Sequence, residues 1–66
     1  MITDEIFELL QNAHETLSRL CEIYTELAET FLSEGDRVNS ELFLSKTDEV
    51  IKEMLMIRKK TTTMLE

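Results

Sequence analysis

The stretch Ile6–Phe31, IFELLQNAHETLSRLCEIYTELAETF, decides the fold. Read in alternating steps of four and three it gives Ile6, Leu10, Ala13, Leu17, Leu20, Tyr24, Leu27 and Phe31. Every position is apolar, which is the mark of a long helix with a continuous packing seam. At steps of seven the other side reads Glu8, Glu15, Glu22 and Glu29, so one face stays in water. Apolar residues also flank the seam, with Phe7, Cys21 and Ala28 on one side and Leu9 and Ile23 on the other. An arc that wide is expected of a helix with two or more neighbours.

The N-terminal boundary is marked by Thr3, a good N-cap, followed by Asp4 and Glu5 where the helix dipole favours negative charge. Ile2 and Phe7 stand at the two places of a hydrophobic staple. At the other boundary, Ser33-Glu34-Gly35-Asp36 reads as a tight turn. Gly35 suits the left-handed residue past a helix end, and Asp36 can cap the next helix. A connection this short makes the two helices antiparallel. The second helix carries the seam Phe43, Thr47, Val50, Met54, Ile57, Thr61 and Met64, flanked by Leu44, Ile51 and Leu65. Leu55 lies beside that seam, whereas Leu42 and Met56 point away from it near Val38. Thr61-Thr62-Thr63 is a poor helix former, so the last turn is expected to fray. The expected fold is an all-α antiparallel helical hairpin in one domain over residues 1–66. Its helices span about 3–34 and 36–64, with the turn at about 34–36.

Sixty-six residues bury a small core, and chains of this size draw on disulfides, metals or association. The one cysteine, Cys21, cannot close an internal disulfide and suits a reducing compartment. No metal-ligand cluster is evident, so association is the expected aid. The net charge of −7 sits entirely in the first half: residues 1–35 hold eight acids against Arg19 alone. Such a surface repels phosphate backbones and anionic headgroups, which disfavours nucleic acid as a direct partner. No apolar run is long enough for a bilayer, and the acidic start lacks the features of a signal peptide, so a cytoplasmic protein is expected.

Nothing in the chain asks for catalysis or a cofactor. His14 lacks the Glu-x-x-His spacing of carboxylate-bridged bundles, since Gln11 stands three residues before it. Cys21 sits among Leu17, Leu20 and Tyr24 as a small apolar residue, and Glu22 beside it opposes thiolate formation. The glutamates of the wet stripe are roughly 10 Å apart, too far to share an ion. Met54, Met56 and Met64 read as adaptable contact residues. There is no phosphate loop and no nucleophile–base set.

Two helices cannot cover this much apolar surface. Residues expected to meet a partner protein are Phe7, Leu9, Leu10, Leu17, Leu20, Ile23, Tyr24, Leu27, Leu55 and Met56, with Gly35 and Asp36 forming the turn. Truncating Leu20 to Ala should cost about 2–5 kcal/mol if that leucine is buried. Leu20→Asp should abolish association.

From Tyr24 to Thr47 the spacing resembles one tetratricopeptide repeat, through Tyr24, Leu27-Ala28, Phe31, Gly35-Asp36, Ser40 and Leu44. It departs from that pattern at Thr47 and Lys52. This resemblance implies that Ala28 and Ser40 let the helices approach closely near the turn. In length, mid-chain Gly-Asp turn and helical pattern the chain also resembles the small E-component co-chaperones of type III secretion needles. That resemblance implies a cytoplasmic partner built of tetratricopeptide-like repeats, and a joint task of keeping a needle subunit from polymerising.

The functional class expected is therefore an adaptor or co-chaperone acting through its apolar face. The alternative is a homodimeric four-helix bundle with a regulatory or structural role. It resembles the small plasmid copy-number bundle proteins, whose RNA-binding basic residues the first helix lacks. A third reading is an acidic mimic of nucleic acid, acting through the helix 1 glutamates.

Overall fold

The computed structural model describes residues 3–65, which form two antiparallel α-helices, α1 (Asp4–Ser33) and α2 (Arg37–Leu65), packed on each other. The molecule is a rod. Its Cα extents are 50 × 15 × 9 Å, and its radius of gyration is 15.1 Å where a compact chain of this length has about 11 Å.

Thr3 adopts extended backbone angles, and its hydroxyl accepts the Ile6 N–H at 3.2 Å while its carbonyl accepts the Phe7 N–H. That satisfies two donors of the first turn, as an N-cap should. The expected staple involves Ile2, which lies outside the described residues.

The turn has its expected residues in their expected roles. Gly35 takes φ +82°, the left-handed region that a side chain makes costly. The Asp36 N–H donates to the Phe31 carbonyl at 2.8 Å and the Gly35 N–H to Leu32 at 3.0 Å. This paired closure is a Schellman motif, and it ties off the last carbonyls of α1. Asp36 then caps α2: one carboxylate oxygen accepts the Asn39 N–H at 3.1 Å, the other the Asn39 side-chain amide at 2.7 Å. These bonds, the backbone one foremost, hold the Asp36 carboxyl below its ordinary value.

Near the turn the helices touch through small residues. Ala28 is 1% exposed and Ser40 4%, and the Ser40 hydroxyl donates across the interface to the Ala28 carbonyl at 2.8 Å. The contact inferred for Ala28 and Ser40 is thus present, sealed by a hydrogen bond that satisfies the buried hydroxyl. One turn along, Phe43 lies between Tyr24 and Phe31, with both ring centroids 5.6 Å away. Residues seven apart on α1 are about 10.5 Å apart along its axis, which leaves room for one ring between the two. Val50, 6% exposed, carries the contact onward, with Met54, Ile57, Thr61 and Met64 half-buried beyond it.

Two expectations require correction. The α2 seam is where the spacing placed it, but the α1 seam is turned by roughly 50°. Ala13 and Ile6 are exposed, while His14, Ser18, Cys21, Thr25 and Ala28 are drawn towards α2. The close approach at Ala28 fixes this rotation, because a helix turned further would set Leu27 against Ser40. The threonine triplet also remains helical as far as Leu65. The Thr61 and Thr63 hydroxyls bond the carbonyls of Ile57 and Lys59 at 2.9 Å, so their donors do not compete for other backbone groups.

Candidate interaction face

Rotation of α1 leaves it with a second apolar stripe that α2 does not cover. Rows at steps of seven make this plain. One row of α1 is Ile6, Ala13, Leu20 and Leu27; its outer neighbour is Leu9, Thr16, Ile23 and Thr30. Leu20 and Leu27 are half-buried at the edge of α2, and the other six are exposed, Leu9 at 61% and Ile23 at 47%. The two threonines fit an apolar stripe, because each hydroxyl is already bonded to a carbonyl one turn back, Asn12 or Glu26. What they offer outward is chiefly a methyl group. Beyond this stripe come Glu5, Asn12, Arg19 and Glu26, and then the four glutamates Glu8, Glu15, Glu22 and Glu29.

A cleft at the open end shows which flanks of the two helices lie on the same side. It has a volume of about 230 Å³ and is lined by Phe7, Leu10, Gln11 and His14 of α1 with Ile57, Arg58, Thr61 and Thr62 of α2. Gln11 and Arg58 therefore share one side of the hairpin. Stepping by sevens from Arg58 and Thr62 gives Leu44, Ile51, Leu55 and Leu65, a lesser apolar row on that same side. The α1 stripe lies on the opposite side, next to Leu42, Lys46, Glu49, Glu53, Met56 and Lys60 of α2. On the stripe's face α2 is mixed, its charged side chains alternating with the exposed Leu42 and Met56. The Nε2 of His14 is buried without a hydrogen-bond partner, on the apolar wall between the helices.

The chain matches no protein-family model, no curated protein and no solved structure.

The ten residues expected to meet a partner are not gathered on one face. Leu10, Leu17 and Tyr24 are half-buried in the hairpin's own contact, and Phe7 borders the cleft. Leu9, Leu20, Ile23 and Leu27 belong to the outward stripe of α1. Leu55 and Met56 are exposed on opposite sides of α2. Ile6 and Ala13, read as internal from the spacing, belong instead to the stripe. Because Leu20 is half-buried at the stripe's edge, its truncation to Ala should cost less than a full core leucine would.

Both sides together leave a large surface uncovered. The chain exposes 5366 Å², whereas a folded monomer of 7.7 kDa exposes about 4,300 Å². The excess of about 1,000 Å² matches what one partner contributes to a stable protein interface. Among the described residues, no helix is long and apolar enough to cross a membrane. Nor do any three His, Cys, Asp or Glu side chains gather closely enough to hold a metal ion.

Proposed function

We propose that this chain is a protein-interaction module, a cytoplasmic adaptor or co-chaperone completed by packing helices of another polypeptide onto its exposed apolar stripe. The observation that carries this reading is the stripe Ile6, Leu9, Ala13, Leu20, Ile23 and Leu27, of which Leu9 and Ile23 are the most open large members. Apolar association of this kind is driven by area removed from water at roughly 25 cal/mol per Å². The shape supports the same reading. A thin rod, 50 × 15 × 9 Å, offers long lateral faces suited to packing against helices.

Its similarity in length and turn position to the E-component co-chaperones makes a helical-repeat partner a natural candidate. The test is a double substitution, Leu20→Asp with Ile23→Asp, followed by recovery of the chain with its bound protein from the cytoplasm. We expect the variant to stay helical by circular dichroism and to lose its partner. The wild-type complex should survive about 1 M salt, at which ionic contacts are screened within roughly 3 Å. A complex that falls apart in salt, and that the double variant still forms, would favour the nucleic-acid mimic instead.

A further inference from the structure

We infer that the occupant of the α1 stripe is a single amphipathic helix of a different polypeptide, basic along the edge that lies beside the glutamates of α1. This rests on the interaction-module reading above and specifies the partner's chemistry. Four observations lead to it: the stripe's length, its one-helix width, the acids on its outer edge, and the charged side chains on its inner edge.

From Ile6 to Leu27 the stripe runs about 32 Å, the length of a helix of about 21 residues. Its width is two rows, which is what a single neighbouring helix occupies. On the inner edge, α2 presents Lys46, Glu49, Glu53 and Lys60, side chains that need water or ionic partners, with the exposed Leu42 and Met56 set singly among them. A second apolar helix laid over that row would bury the charged groups unpaired, at a cost association could not recover. The seat therefore takes one helix resting on α1.

A second copy of this chain fits poorly. Set α1 against α1, the stripes match, but two helices that each carry eight acids in residues 1–35 against one base come into contact. Set α1 against the α2 of the copy, in the level pairing of Ala28 with Ser40, and Leu27 and Ala13 would meet Leu42 and Met56, but Leu20 and Ile23 between them must cover Glu49 and Lys46. Each arrangement either concentrates like charge or buries ionised groups. A foreign helix with lysines or arginines on its outer edge has neither defect. Those cations would face Glu5 and Glu26, either side of Asn12 and Arg19, and behind that row the unbroken acids Glu8, Glu15, Glu22 and Glu29, while its leucine or isoleucine seam covers Leu9, Ala13, Leu20, Ile23 and Leu27.

The experiment uses the full chain and two synthetic helical peptides of about 21 residues, the length set by the stripe. They share one Leu/Ile seam and differ only in their flanking positions, lysine in one and glutamate in the other. Binding is followed by fluorescence anisotropy, and the mass of the chain alone by light scattering. We expect the lysine-edged peptide to bind about tenfold or more tighter than the glutamate-edged one, with the gap closing as salt rises. Ile23→Asp should weaken it by about 30-fold or more, whereas Leu55→Asp, on the other side of the hairpin, should leave it unchanged. Equal binding of both peptides would overturn the charge assignment, and equal effects of Ile23→Asp and Leu55→Asp would overturn the placement. A discrete dimer of the chain alone, dispersed by Ile23→Asp, would overturn the foreign-helix inference yet leave the interaction face standing. A chain that binds neither peptide and does not self-associate would remove both.

Discussion

Leucine placed at Ala28 should destabilise the hairpin, and leucine placed at Ala13 should not. Both alanines lie on α1, about four turns apart, and spacing alone puts Ala13 on the seam and Ala28 beside it. The structure reverses them. Ala28 is 1% exposed, with the Ser40 hydroxyl 2.8 Å from its carbonyl, so three added carbons have no space unless the helices separate. Overpacking of this kind costs about 1–3 kcal/mol. Separation would also stretch the Ser40 bond and leave a buried hydroxyl unsatisfied, adding about 1 kcal/mol or more. Ala13 is exposed, and a change there should stay within about 0.5 kcal/mol. In a domain this small each kcal/mol moves the melting temperature by about 4–8 °C. Thermal unfolding followed by far-ultraviolet circular dichroism should therefore show a clear loss for Ala28→Leu and almost none for Ala13→Leu. Equal shifts, or a larger loss at Ala13, would refute the rotation of α1 on which the outward stripe depends.

Three further outcomes follow from local geometry. Gly35→Ala should cost about 1–2 kcal/mol in urea unfolding, and solely through the backbone, because nothing lies within 4 Å of where the new Cβ would stand. The Asp36 cap should weaken in acid: its carboxyl is held below 3.8 by the Asn39 N–H and then the Asn39 side chain. A depressed value contributes stability that is complete above 3.8 and disappears as pH falls through the folded-state value. Asp36→Asn should flatten that part of the stability–pH curve. His14→Leu should stabilise the hairpin by about 1–3 kcal/mol, read as a higher urea midpoint, because it removes a buried nitrogen without a partner from between the helices. A lower midpoint would mean that the imidazole has a packing or bonding role at that site.

The helices, their antiparallel order and the turn were legible because each had a local physical marker: Thr3, Gly35, Asp36 and unbroken apolar spacing. The α2 seam was legible for a related reason, since its apolar rows are few and single out one direction. On α1 four adjacent rows are apolar or nearly so, and the centre of so broad an arc does not reveal which part faces the neighbour. The deciding contact joins Ala28 and Ser40, a small residue and a polar one, which hydrophobic spacing undervalues. Thr16 and Thr30 join the outward stripe only through structure, because a threonine counts as polar unless its hydroxyl is bonded to its own helix. The threonine triplet is helical despite its low propensity, with the Thr61 and Thr63 hydroxyls likewise bonded to their own helix.

The central claim is that α1 keeps a greasy stripe open to water and available to another polypeptide. The most direct measurement is a fluorescence titration of the purified chain with an apolar dye such as anilinonaphthalenesulfonate, beside the Leu20→Asp, Ile23→Asp double variant. Exposed apolar surface should make the wild-type chain bind the dye, and the equally helical double variant should lose most of that signal. A wild-type chain that is fully helical, monomeric at high concentration and no brighter with dye than its variant would contradict the account.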